Sequence, residues 1–508
     1  MNKLAHLLIT ALLILFSIPI VSFAQLEYTA RIEFKTSSSA EEEFDVLPLS
    51  KDGLLVTHRK DEFFGPEKWT FSRYDSTLKE RWKIEHKLEN EAKPIRSFHN
   101  QNYLFWLFKD SDRSEKFIIL RIDLAHGDID TFKGNLLSEV DISHFRVLGN
   151  TALIGGYFDS KPVVMTFSFF DKTIKTLPYL FLNHTEINNL EIDEARNEII
   201  VVLYSLHKRK CQLTLKHYSY DGKLLRILNP TFEQDNGLIS GKIISLSDNN
   251  SLLVGNYSDG CTQYSQGIYF SRIQDTNLDT IQWVDFSQFE NFFNYLNPKR
   301  KQRIVSRINK QKQSGKEPKF RYKLVVHDII ETPTEYIFTA EIYYPAYTSN
   351  TVPMMNSARR TAESQSYHYT HAFVCGFDKN TGKLNWDNCI GLEDVETRKP
   401  IEITQITQQE GRLILAYPSK GKIKTEVIEQ NKVLKEIEAF EIKTPVATEK
   451  VTDNEDEQLA AWYDNNFLLF GYQKVTEEKN SGDKREVFSI SKVKYDTNAP
   501  AKEKKVSK

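Results

Sequence analysis

The chain has 508 residues, with 67 basic and 69 acidic side chains, four cysteines and 40% hydrophobic residues. That composition excludes wholesale disorder, a collagen-like fibre and a disulfide miniprotein, and it leaves only the first 24 residues as a long apolar run. The net charge of −2 argues against a surface that is one continuous nucleic-acid footprint, and the length allows about three ordinary domains or one large closed repeat.

Residues 1–24 read as a secretory signal. Lys3 supplies the positive end, Leu7 to Val21 the apolar stretch, and Ser22-Phe23-Ala24 the small residues ahead of a cut before Gln25. The alternative is an uncleaved anchor helix, for which the run is short. The expectation is export through the inner membrane, to a periplasmic, outer-membrane-associated or secreted location. No cysteine stands at the cut, so no lipid anchor is expected.

From residue 25 the chain is rich in short runs of aromatic and β-branched residues bounded by Asp, Asn, Gly and Lys, which predict strands and turns. One unit recurs: a strand, a turn opening on Asp, and a second strand. It stands at Tyr74-Asp75, Ile122-Asp123, Phe170-Asp171, Tyr220-Asp221, Gln274-Asp275 and Phe377-Asp378, more weakly at Glu429-Gln430, and last at Tyr495-Asp496. The spacings are 48, 48, 50, 54, 103, 52 and 66 residues. A period of about 50 with one doubled gap predicts an all-β propeller of four-stranded blades over residues 25–496. Eight turns predict eight blades. The last unit lacks a fourth strand, and Leu26 to Phe34 is a strand without a unit. Pairing the two would close the ring, and the alternative is seven blades.

The segment Gly376-Phe377-Asp378-Lys379-Asn380-Thr381-Gly382-Lys383-Leu384-Asn385-Trp386 resembles the tryptophan-docking repeat of quinoprotein-like, eight-bladed propellers. Gly376 stands where that family usually has Ala, and Asp75 to Trp82 is a degenerate second copy. The resemblance implies the fold, with the Trp packed between blades, and no shared activity. The vicinal Cys-Cys pair of the quinone-dependent dehydrogenases is missing, so no cofactor is expected. Residues 322–390 also resemble secreted proteins of Bacteroidota, which implies a compartment and no chemistry.

The doubled gap holds an insertion at 287–321. It opens with Phe289, Phe292, Phe293 and Tyr295. Asn297-Pro298 then predicts a helix cap and first turn, with a helix running to about Gln313. Its apolar stripe is thin: Ile304, Val305 and Ile308. Lys299, Arg300, Lys301, Arg303 and Arg307 head a basic run in which Glu317 is the one acid between Lys299 and Lys323. A second excursion, a polar loop at 347–365, is predicted on the same rim. Residues 497–508 read as a disordered tail.

Cys211 and Cys261 precede the third strands of neighbouring blades and could form a disulfide. Cys375 and Cys389 lie on the two arms of one hairpin, where the simplest register puts their thiols on opposite faces. His368 and His371 have a metal-like spacing, but on a strand such positions diverge, so no metal is expected. His327-Asp328 and Glu331 offer an acid–base group with no visible second carboxylate. No nucleophile elbow, phosphate loop, dinucleotide fingerprint or zinc-protease motif occurs, and no catalytic residue is assigned.

The sequence therefore reads as an exported, cofactor-free, monomeric and non-enzymatic propeller that binds or scaffolds in the cell envelope. The expected partner is an envelope protein or anionic glycan, with peripheral membrane contact allowed and nucleic acid excluded. It would dock on the basic residues, with Phe292, Phe293 and Tyr295 as an anchor. The alternative is a carbohydrate-active propeller enzyme, a glycosidase or lyase, with carboxylates in the central pocket.

Overall fold

The computed structural model describes residues 26–36, 42–60, 68–88, 92–111, 113–207, 210–230, 236–246, 250–274, 277–352, 360–444, 446, 448–477 and 480–496. The expected signal segment and polar tail lie outside them.

Eight antiparallel sheets follow one another along the chain. Blade 1 shows the pattern: Glu42–Pro48, Leu54–Lys60, Lys68–Tyr74 and Glu80–Lys87 pair in sequence order. Blades 2 to 7 occupy 93–135, 141–176, 185–228, 236–285, 323–397 and 405–441. Blade 8 combines Glu449–Ala461, Asn466–Glu477 and Asn480–Tyr495 with Leu26–Lys35 as its outermost strand. That last strand pairs from Leu26↔Tyr495 to Lys35↔Val487. The ring is closed as expected, and the seven-bladed alternative is excluded.

Alternation explains the stack. In the second and third strands of each blade both faces are apolar, and burial is nearly continuous, as in Tyr103–Lys109 and Lys116–Asp123. Every sheet therefore needs a neighbour on each side. Eight apolar clusters fill the eight spaces between blades. First strands of adjacent blades touch around the centre. Outer strands such as Glu80–Lys87 alternate exposed and half-buried residues and face water.

The recurring Asp is a turn device. The Asp75 carboxylate accepts from the Thr77 amide (2.8 Å), the Thr77 hydroxyl (2.6 Å) and the Lys79 amide (3.1 Å). These bonds, that of the Thr77 hydroxyl foremost, hold its pKa down to about 2. Asp378 accepts from Asn380, Thr381 and the Thr381 hydroxyl in the same way. Gly382 is needed there: its φ is +68°, and a Cβ would sit 2.2 Å from the Phe270 ring. Trp386 lies in the cluster between blades 6 and 7, with its indole donating to Glu335 at 3.0 Å.

Three expectations change in blade 6. A bulge shifts the register between Gly376↔Trp386 and Phe377↔Leu384, so Cys375 opposes Asp387 and Cys389 opposes Phe373. Both thiols therefore reach the cluster between blades 5 and 6, not opposite faces, and they are unbonded. The polar excursion at 347–365 is not a loop throughout. Glu335–Val352 and Arg360–Asp378 continue as paired arms out to Val352↔Arg360, and 353–359 lie outside the described residues. A second bulge, at Thr370, puts His368 and His371 on the same side of their strand. His371 is nevertheless sealed between the rings of Tyr295 and Phe292, with Nδ1 2.9 Å from the Thr370 hydroxyl. Burial lowers its pKa to about 3. Among the described residues no group of three or more His, Cys, Asp or Glu could hold a metal ion.

Candidate functional site

Connections between blades and the turns joining second to third strands open on one rim of the ring. This rim carries the insertion. It begins with a 3₁₀ turn, Phe286–Gln288, started by the Asp285 carboxylate accepting from the Ser287 amide at 2.7 Å. Helix α1 then spans Pro298–Gln313, with the Asn297 side chain capping the Arg300 amide at 2.9 Å. The predicted start and end coincide with these.

The aromatic segment before α1 is not an exposed anchor. Phe292 and Phe293 are 0% and 3% exposed. Phe292 packs on Phe286 (4.7 Å), Phe293 (5.1 Å) and Phe373 (5.3 Å) between ring centres. Tyr295 stacks on His371 at 3.8 Å. The docking role expected for Phe292, Phe293 and Tyr295 is corrected accordingly. These rings belong to the cluster between blades 5 and 6, where they pack beneath α1, and no partner can reach the two phenylalanines.

Polar groups complete the attachment. The buried Asp387 carboxylate accepts from the amides of Glu290 (2.8 Å) and Asn291 (2.7 Å). Burial raises its pKa, against these two amides. Gln266 bonds the Asp285 side chain at the start of the insertion, and the Pro318 carbonyl and Phe320 amide at its end. Lys312 reaches back to the Ser287 carbonyl at 3.1 Å. Sequence reasoning missed Asp387, whose partners are 96–97 residues away, and Gln266, which bridges a residue 19 ahead to others 52–54 ahead.

What α1 offers is its outer face. Ile304, Val305 and Ile308 point into the cluster, and Lys301 is half-buried and bonded to Asn294. Lys299, Arg303, Arg307 and Lys310 lie at i, i+4, i+8 and i+11, one straight exposed stripe opposite the apolar side. Its length is about 16 Å at 1.5 Å per residue. Arg300 flanks the stripe. None of these five has an ion-pair partner among the described residues, whereas Lys319 pairs with Asp259 at 2.5 Å. Lys301 belongs to the attachment more than to the stripe. The outer face carries Gln302, Ser306 and Asn309 between the charges, and no apolar residue.

The same rim holds a 520 Å³ hollow shared by blades 6 to 8, lined among others by Asp394, Glu402, Lys420, Glu457 and Gln458. Asp394 pairs with Lys420 at 2.9 Å, and one Glu457 oxygen accepts from the Gly421 amide at 3.2 Å while its other, buried oxygen has no hydrogen-bond partner among the described residues and burial raises the carboxyl pKa. His327, the acid–base group suggested by sequence, does meet carboxylates. Its Nε2 is 3.2 Å from Glu341 and its Nδ1 is 4.0 Å from Glu402. Glu341 is fully buried and accepts from the backbone amides of Ile403 and Thr404. The pair ties blade 6 to the entry of blade 7. Asp328 pairs with Lys242 of blade 5 at 2.8 Å.

Cys211 and Cys261 are joined as a disulfide with Cα atoms 5.6 Å apart, linking blades 4 and 5 at this rim. Among the described residues no helix is long and apolar enough to cross a membrane.

No protein-family model matches the chain, and no curated protein matches it. Solved structures resemble it at the level of architecture. A quinohemoprotein alcohol dehydrogenase from Pseudomonas putida HK5 is 10% identical, with a TM-score of 0.42 over 94% of this chain and 77% of that one. The β-propeller domain of the Trilobed protease from Pyrococcus furiosus is 8% identical, with a TM-score of 0.34 over 78% and 97%. The polysaccharide lyase Uly1 is 10% identical, with a TM-score of 0.36 over 79% and 89%. The likeness is one of fold, and the strand pairing above already establishes that fold.

Proposed function

We propose that the chain is a non-enzymatic binding or scaffolding propeller of the cell envelope, exported from the cytoplasm, whose partner docks on the rim that carries α1. One observation supports this reading above the others. A helix held by buried aromatic rings and by Asp387 presents Lys299, Arg303, Arg307 and Lys310 with no ion-pair partner among the described residues. A solvated helix with no role has no need of such attachment, and unpaired cations in a fixed row attract an acidic surface. The absence of outward apolar residues disfavours insertion into a bilayer and favours an envelope protein or anionic glycan.

The test is an affinity pull-down from detergent-solubilised envelope. It compares the intact chain with a variant in which Lys299, Arg300, Arg303 and Arg307 are changed to Glu. The expected result is a protein or glycan retained by the intact chain alone. An identical catch from both would refute docking on α1.

A further inference from the structure

A different surface lies on the same rim over blades 3 and 4. Phe158 ends the second strand of blade 3, and Phe181 and Leu182 lie in the connection to blade 4. They are 41%, 49% and 45% exposed. The two rings stack at 6.2 Å, so they form one platform. Leu206, near the end of the second strand of blade 4, is 45% exposed, and its amide donates to the His184 carbonyl of the same connection at 3.1 Å. Isolated exposed leucines are ordinary, but a stacked pair of exposed rings on a rim, with exposed leucines in the same connections, is a docking feature.

Beside the platform runs a groove formed by two hollows of 680 and 270 Å³ that share Asp159, Ser160 and Glu186. Its larger end is walled by Glu139, Asp141, Asp159 and Glu186. Glu139, Asp141 and Glu186 have no cationic partner among the described residues. Lys161 is occupied, with Nζ over the Phe181 ring at 4.6 Å and 3.9 Å from Asp159. Asp159 and Ser160 both have positive φ, 49° and 58°, in a two-residue hairpin turn, which sets the backbone at Asp159. Past Leu206 the edge becomes basic at His207 and Lys210.

We propose that this groove docks a protein segment carrying lysine or arginine beside aliphatic or aromatic side chains. The platform takes the apolar side chains and the carboxylates take the cations, while the basic edge fixes the direction in which the segment lies. An anionic membrane is disfavoured, because four carboxylates would face its headgroups. A second copy of this chain is disfavoured too, because the outer face of its α1 offers cations without apolar residues.

The inference does not rest on α1, and the test keeps the two separate. Short random peptides displayed on phage are selected on the full-length protein, and enriched peptides are measured by fluorescence anisotropy. We expect Lys/Arg-plus-apolar peptides whose binding weakens about tenfold or more in Phe158→Ser/Phe181→Ser and in Asp159→Lys/Glu186→Lys, because truncating central aromatic contacts and reversing close charges have effects of this size. Rising salt weakens binding, and the α1 charge reversal leaves it unchanged. All substituted side chains are exposed, and each variant is checked for an unchanged melting curve. Acidic or uncharged enriched peptides, or binding indifferent to both double variants, overturn the proposal. So does flotation with phosphatidylglycerol vesicles that the Phe variant abolishes, or self-association in sedimentation that it abolishes.

Discussion

Glu426 provides the sharpest test of the packing described above. It lies on the third strand of blade 7, Lys422–Glu429, opposite Leu415, and is 7% exposed. Its Oε2 has no hydrogen-bond partner. Burial first, and the charge of Glu436 second, raise its pKa from 4.5 to about 8. The folded protein therefore holds a proton there that the unfolded chain releases. Stability from this site is full below pH 4.5 and falls as pH rises, until the group ionises near pH 8. A displacement of this size corresponds to a loss of about 3–5 kcal/mol, at 1.36 kcal/mol per unit. Glu426→Gln mimics the protonated group and does not titrate. Denaturant unfolding of both proteins at pH 5 and pH 9 measures the difference. They should agree within about 1 kcal/mol at pH 5, and the variant should be more stable by about 3–5 kcal/mol at pH 9. Other carboxylates titrate alike in both and cancel. A difference that does not change with pH would show that Glu426 is not desolvated in the folded state, and the reasoning would fail.

Phe292→Ala removes a fully buried ring from the base of α1, and the expected destabilisation is about 3–5 kcal/mol in chemical unfolding. Asp387→Ala leaves two amides unpaired, at a cost of about 1–3 kcal/mol, and trypsin should then cut among the basic residues of α1 faster than in the intact chain. Cys211→Ser/Cys261→Ser opens a bond spanning 50 residues; the expected loss is about 2–4 kcal/mol, and dithiothreitol should lower the melting temperature of the intact chain but not of the variant. Deleting residues 26–35 exposes the edge of Asn480–Tyr495, and the product should aggregate in light scattering, while the same segment supplied as a peptide should restore a monomer.

The fold was legible because its turn device is local. Asp75, Asp123, Asp171 and Asp378 each bond amides two to four residues ahead, so their chemistry stands in the sequence and their spacing counts the blades. The start of α1 was legible for the same reason: Asn297 caps an amide three residues on. The site was only half legible. Lys299, Arg303 and Arg307 were found from charge alone, but charge does not show that Lys301 turns inward. An aromatic run such as Phe289 to Tyr295 reads equally well as an anchor for a partner or as filling between blades. What decides is the cluster between blades 5 and 6 that takes up these rings, which only the assembled ring reveals. Blade 6 misled the register argument through its bulges. One extra residue near Asn385 and another at Thr370 each reverse the side on which later residues fall, and a sequence does not mark where a ladder slips.

The architecture also constrains where function can lie. Each sheet gives both faces to its neighbours, and the eight clusters between blades leave none free. The outer strands mix alternating charges with exposed apolar side chains, Leu225 and Ile227 on blade 4 and Val433, Leu434 and Ile437 on blade 7. Partners are left the centre, the two rims and these outer edges. The rim of the Asp turns is built of short turns whose carboxylates are committed to their own backbone. The opposite rim carries the insertion, the long hairpin of blade 6 and the Phe158–Phe181 platform. It also holds Glu139, Asp141 and Glu186 over blades 3 and 4 and Lys299, Arg303, Arg307 and Lys310 on α1, which have no ion-pair partner among the described residues. The cations stand over blades 5 and 6 and the carboxylates over blades 3 and 4. A single ligand of one sign does not match both, so the two proposed docking sites call for two different partners and are tested separately.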